Sequence, residues 1–287
     1  MQTLLAYSLV FHGSHDLRSQ TAAKQLTDYF RQKIQHQSHL PQALGQDLRW
    51  TNVTPPTECV ATASSQQTIT SLIPTPILVQ DAYLECHSLT LHEQIIQFIQ
   101  SSQPSSQFSS KILLTIIPVF LLAGVHVIED IPTEVAIAQQ RLASVTALRM
   151  TPHLGSHMGL CRIVNEQMSC LPMEAWILLA HGSRRAGVND AIADLATHLG
   201  AVPAFWSTPS GLETQIQALA TLGFRRIGIF PYFLFSGGIT DAIAQTVTQL
   251  AAQFPHLTLT LTQPFDFALP QLADLLMNLA QSTASAS

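Results

Sequence analysis

The 287 residues carry 13 Lys and Arg against 18 Asp and Glu, a formal net charge of -5, and only 11% of them are charged, under half the share of an ordinary soluble domain. The basic residues are scattered, which excludes a nucleic-acid backbone as the main partner, because such binding rests on clustered cations. The length suits two units, each with a proper interior, and rules out a small stapled scaffold.

Cys59, Cys86, Cys161 and Cys170 show no C-x-x-C spacing and no secretory signal precedes them, so a reduced, cytoplasmic chain is expected. The uncharged passage from Ile112 to Ile128 is broken by Pro118 and Gly124, contains His126, and is short of the roughly 20 apolar residues of a membrane span. It reads better as a buried strand running into a loop. A hydrophobic share of 47% fits parallel strands covered on both faces.

In chain order, a first strand through Ser8-Leu9-Val10-Phe11 stops at His12-Gly13-Ser14, and Ala22, Leu26, Tyr29 and Phe30 then recur at helical spacing. A Gln-, Ser-, Thr- and Pro-rich stretch at about 36–75 reads as a surface insertion. Next come a strand over Ile77 to Leu84 that ends at Glu85, a helix over Leu91 to Ile99, and a polar loop over Pro104 to Ser110. A strand over Ile112 to Ile117 leads into Pro118-Val119-Phe120-Leu121-Leu122-Ala123-Gly124, and Val145 to Met150 forms the fourth strand.

The plan then repeats. Ile177-Leu178-Leu179-Ala180-His181-Gly182-Ser183 mirrors the first strand and turn, Val188, Ile192, Leu195 and Leu199 mark the next helix, and Pro231-Tyr232-Phe233-Leu234-Phe235-Ser236-Gly237 mirrors the block after the third strand. Ala201 to Phe205, Ile227 to Phe230 and Leu257 to Leu261 are the remaining strands, and Leu212 to Leu222 a helix. The expected fold is therefore α/β: two similar domains, 1–167 and 174–280, each a four-stranded parallel sheet flanked by helices. A small polar tail at 281–287 is expected to fray.

Ligands in open parallel sheets bind beyond the carboxyl ends of the strands, where His12, Glu85 and His126 stand. Two imidazoles and a carboxylate suit a borderline divalent ion such as Co(II), Fe(II), Ni(II) or Zn(II) better than Mg(II) or Ca(II). Matching the halves places Trp206 opposite Glu85 and Ile239 opposite His126, so one site is expected, in the first half. His181 then reads as a turn-fixing residue. Ser14 and Ser183 read as loop-fixing hydroxyls, Ser14 also as a donor to a substrate carboxylate; no G-x-S-x-G setting supports a nucleophile. His153, His157 and Cys161 recur every four residues, but Pro152, Gly155 and Gly159 disfavour a continuous helix there, leaving a loop that enters the half's last helix. Glu129 and Asp130 read as acidic residues at a helix N-terminus, with a supporting role near the metal as the alternative.

Phe11-His12-Gly13-Ser14 with Asp16 and Arg18, Tyr83-Leu84-Glu85, and the block from Pro118 to Ile131-Pro132 resemble the sirohydrochlorin chelatase family in its long two-domain form. The likeness runs from about Leu4 to Asn278 outside the insertion, with His15 standing where a basic Arg is more usual. It implies insertion of Co(II) or Fe(II) into sirohydrochlorin, for cobalamin or siroheme, with no permanently bound cofactor and the divalent ion as substrate. It further implies that His12 and His126 hold the incoming metal and that Glu85 is a third ligand or a proton acceptor. From the duplication itself, a monomer imitating a dimer of single halves is expected. Arg18 is the expected clamp for substrate carboxylates, its planar fork suiting bidentate pairing. A non-catalytic metal or tetrapyrrole carrier on the same fold is the alternative.

Overall fold

The structure, a computed structural model, describes residues 3–38, 77–102, 111–142, 146–182, 187–208 and 211–285. The proposed insertion from residue 39 onward, the Pro104 to Ser110 loop and Ser183 lie outside these residues.

The first half runs β1 (Thr3–Phe11), α1 (Leu17–Ser38), β2 (Leu78–Tyr83), α2 (Leu91–Ser101), β3 (Lys111–Pro118), α3 (Ile131–Leu142), β4 (Thr146–Met150) and α4 (Gly159–Ser169). The second runs β5 (Ala175–Ala180), α5 (Val188–His198), β6 (Val202–Phe205), α6 (Gly211–Thr221), β7 (Arg226–Pro231), α7 (Gly238–Gln253), β8 (Thr258–Leu261) and α8 (Leu269–Ser285). Each half forms a four-stranded parallel sheet, with orders β2-β1-β3-β4 and β6-β5-β7-β8.

The alternation of side chains along each strand decides which core a residue enters. On β1, Ala6 and Val10 face Leu91, Ile95 and Ile99 of α2 and Ile131 and Ala138 of α3. Tyr7, Leu9 and Phe11 face the other way, into a middle core shared with Phe30 of α1, Ile163 of α4, Phe230 of β7 and Leu272 and Leu276 of α8. The second sheet turns Ile177, Leu179, Ile227 and Ile229 outward onto α6 and α7. The two halves thus share the middle core, which the near-continuous apolar strands require: both faces of each sheet are covered. Among the described residues no helix is long and apolar enough to cross a membrane.

Two sequence expectations change. Within the expected tail, residues 281–285 are helical: α8 continues to Ser285, packs along α1, and Gln281 donates from Nε2 to Gln37 Oε1 at 2.6 Å. The pairing of the halves also shifts by one residue. Leu84 N donates to Phe11 O at 2.9 Å and Glu85 N to His12 O at 2.8 Å; Trp206 N and Ser207 N donate to Ala180 O and His181 O at 2.9 and 2.8 Å. The counterpart of Glu85 is therefore Ser207, and Trp206 corresponds to Leu84. A serine hydroxyl cannot replace the carboxylate charge, so the contrast between halves stands.

Gln94, buried on α2, closes the end of the edge strand β2. Its side chain accepts from Tyr83 N at 3.0 Å and donates to Tyr83 O at 2.7 Å and Leu89 O at 3.0 Å. Replacing it by Ala strands these backbone groups, and Gln94→Ala is expected to lower unfolding free energy by about 2–3 kcal/mol, the cost of unsatisfied buried polar groups. Denaturant unfolding monitored by far-UV circular dichroism measures this directly.

Candidate functional site

Three strand exits converge. Beyond β1, His12 is followed by Gly13 at φ +100°, a backbone state side chains resist. A Cβ on Gly13 would sit 2.0 Å from the Glu85 carbonyl oxygen, so only glycine lets the two exits approach this closely. The hydrogen bond from Glu85 N to His12 O then fixes the two residues side by side, and His12 Nε2 lies 3.8 Å from Glu85 Oε2.

His126 arrives by a longer route than the strand end expected of it. Val119 N still bonds Val10 O at 2.8 Å, extending β3, but the chain then loops through Phe120 to Val125 before one π-helical turn over His126–Asp130. The loop is braced from behind: Gly155 N donates to Phe120 O at 2.8 Å and His153 Nδ1 contacts the same oxygen at 3.1 Å. Burial holds the His153 pKa below its ordinary value, which keeps the ring neutral. A Cβ on Gly155 would meet Leu121 O at 1.8 Å. The His153 to Cys161 stripe is thus broken into a single 3-10 turn, Leu154–Ser156, and the start of α4, and it supports the loop.

The π turn brings Asp130 Oδ2 to 2.7 Å from His126 Nδ1, in place of the helix-capping role read for that residue. In the neutral ring, Nδ1 donates to the carboxylate and Nε2 keeps its lone pair, the arrangement that orients metal-binding histidines. His12 shows the same pattern, its Nδ1 lying 3.1 Å from Gly13 O. The two imidazole rings stand 4.8 Å apart, edge to face, and Phe120 lies 6.4 and 6.3 Å from them.

One donor atom from each of His12, Glu85 and His126 lies within 4.8 Å of the other two. Ligand bonds to a transition ion run about 2.0–2.2 Å, so holding one here would require side-chain rotation. His12 and Glu85, each with half its side chain exposed, are free to make it. The donor set of two nitrogens and a carboxylate oxygen fits a borderline divalent ion. It is the one such group of three among the described residues.

The site opens on a cavity of about 650 Å³ between the halves, within the range of small-molecule pockets. Phe11, Ser14, Phe120 and Val125 line it from the first half and His181, Tyr232, Leu234 and Phe235 from the second. Phe11 and Phe235 meet across it at 6.1 Å.

Ser14 lines this cavity, and its Oγ accepts from Asp16 N at 3.1 Å, tightening the turn. Arg18 does not line it. Its guanidinium donates to both oxygens of Asp16 and both of Asp241, the last two bonds at 2.9 and 2.6 Å, and so ties α1 to α7. Arg18 holds the Asp16 carboxyl down at about 2. In this structure the Arg18 fork is engaged as a clasp between halves, joined by Ser19 Oγ donating to Ser236 O at 2.8 Å. In the second half Ile239 occupies the place of His126.

If Asp130 orients His126 for a cation, Asp130→Asn is expected to weaken Co(II) binding by about 10–100-fold, the usual effect of losing an outer partner of a ligand. Titration with Co(II) followed in the visible reads this, and unchanged affinity would remove Asp130 from the site.

The model of the CbiX family matches this chain twice, over residues 77–170 and 175–283. Among solved structures, the sirohydrochlorin chelatase SirB from Bacillus subtilis subspecies spizizenii in complex with cobalt superposes with a TM-score of 0.64 at 18% identity, covering 99% of this chain and 96% of that one. SirB from Bacillus subtilis with Fe3+ gives 0.64 at 17%, over 99% and 96%. CbiX, described as the terminal enzyme for biosynthesis of siroheme in denitrifying bacteria, gives 0.53 at 14%, over 97% and 98%. At these identities the likeness is one of fold. Comparison with curated protein sequences gives no match.

Proposed function

The chain belongs to the CbiX family, and from that premise we propose that it is a chelatase inserting Co(II) or Fe(II) into sirohydrochlorin. The observation that carries the reading is the gathering of His12, Glu85 and His126, the two histidines lining a cavity to which both halves contribute. The names of the similar structures, a sirohydrochlorin chelatase with cobalt and SirB with Fe3+, supply the substrate class.

Insertion replaces two pyrrole N–H protons by a dication. The metal must be partly stripped of water, presented to the ring nitrogens, and released to them. His12 and His126 offer neutral nitrogens through Nε2, and Glu85 adds one negative charge, so the ion is held without the full charge neutralisation that would trap it. The exposure of His12 and Glu85 leaves a path by which the ion arrives and departs. The largely apolar walls, Phe120 and Leu122 on one side and Phe233 and Leu234 on the other, suit the faces of a flat macrocycle, whose carboxylates are left to the rim. In this reading the half up to about residue 167 works on the metal, the half from about 174 to 280 completes the cleft, and one chain acts alone.

The test mixes purified protein with sirohydrochlorin and Co(II), Fe(II) or Ni(II) and follows absorbance. Saturable acceleration over the protein-free rate is expected with Co(II) or Fe(II), and competition ranks the metals. Binding of metal or ring without acceleration would make the protein a carrier.

A further inference from the structure

His181 is the backbone counterpart of His12. Each follows the central strand of its sheet, each precedes a glycine of positive φ, +86° at Gly182, and each accepts the same hydrogen bond, here from Ser207 N. The turn is held by these backbone features, so they give no reason for an imidazole at this position. His181 is exposed and lines the same cavity as His12 and His126.

Resting on the chelatase reading above, we propose that His181 is the catalytic residue that accepts the pyrrole protons. Metal insertion needs a base, and the metal site is a poor one: a dication bound there takes the one free lone pair of each imidazole, His12 and His126, and its charge lowers the basicity of Glu85. Of the other described cavity residues, Tyr83 and Tyr232 are the remaining titratable groups. Burial raises both phenol pKa values, and the Tyr83 hydroxyl already donates to Asp81 Oδ2 at 2.6 Å. The rest of the second half's wall, Phe233, Leu234 and Phe235, is apolar. A macrocycle between the halves presents one face to the metal ligands and the other to His181. As each ring nitrogen bonds the metal, its N–H bond breaks, the electron pair stays on nitrogen, and the proton passes to the imidazole. The exposed imidazolium gives that proton to water before the second arrives.

The test is single-turnover insertion of Co(II) into bound sirohydrochlorin by the wild type, His181→Ala and His181→Gln, with folding checked by circular dichroism. Glutamine keeps hydrogen bonding without basicity. Both variants are expected to slow the insertion step by about 10²–10⁴-fold, the usual contribution of a general base, while Co(II) affinity of the ring-free protein is unchanged. Added imidazole should restore part of the His181→Ala rate. Insertion at the wild-type rate in His181→Gln, or a loss confined to sirohydrochlorin affinity, would overturn the assignment while leaving the chelatase reading intact. A wild type that accelerates nothing overturns both.

Discussion

His126→Ala is expected to lose Co(II) binding by well over 100-fold, beyond the range seen when only an outer partner of a ligand is removed, and to lose insertion with it. The substitution removes the sole donor that the loop after β3 brings to the site, leaving His12 and Glu85 as a two-ligand pair. The fold should survive, because His126 is partly exposed and contributes to none of the three cores. Ile239→Val, at the corresponding position of the second half, should leave both measurements unchanged. Equal losses from the two variants would show that the effect of His126→Ala is not one of metal ligation, since neither Ile nor Val offers a donor atom. Retained affinity in His126→Ala would show that the imidazole is not a ligand.

Gly13→Ala should be the most damaging single-atom-scale change near the site. Its positive φ costs an L-residue about 1–2 kcal/mol, and the added carbon would stand 2.0 Å from a backbone oxygen that cannot swing aside. The exits of β1 and β2 must then separate, breaking the Glu85 N to His12 O hydrogen bond. A loss of roughly 3 kcal/mol or more is expected, at the upper end for point substitutions, together with loss of the metal site in whatever remains folded. Gly238→Ala is the control, since its Cβ would meet no atom and it opens α7; a change within about 1 kcal/mol, towards stability, is expected from helix propensity. Urea unfolding of the three proteins measures both effects.

The fold was legible in the sequence because its strands are short apolar runs ending at turn residues, and because the two halves repeat the same order. That His12, Glu85 and His126 would gather was legible for the same reason, since strand exits are where such sheets bind ligands. What escaped depends on contacts distant in sequence or on backbone register. Between the end of β6 and α6 no residue type anchors an alignment to Glu85, and only the hydrogen bond from Ser207 N to His181 O reveals the true counterpart. Arg18 advertises a charge, but Asp241, which claims it, lies 223 residues away. Asp130 stands four residues from His126, a spacing visible on paper, yet the π-helical turn that carries the pair is not signalled by composition. Gln94 looks like any polar residue on an amphipathic helix until its carboxamide is seen closing the backbone of β2.

The central claim is a lone cation site formed by His12, Glu85 and His126, and cobalt K-edge X-ray absorption on the Co(II)-loaded chain tests it most directly. One tightly held ion per chain is expected, with scattering from two imidazole rings and a carboxylate oxygen, and with that two-imidazole signal lost in His126→Ala. Sulfur scattering from a cysteine, a second equivalent held as tightly, or an unaltered spectrum in His126→Ala would contradict it.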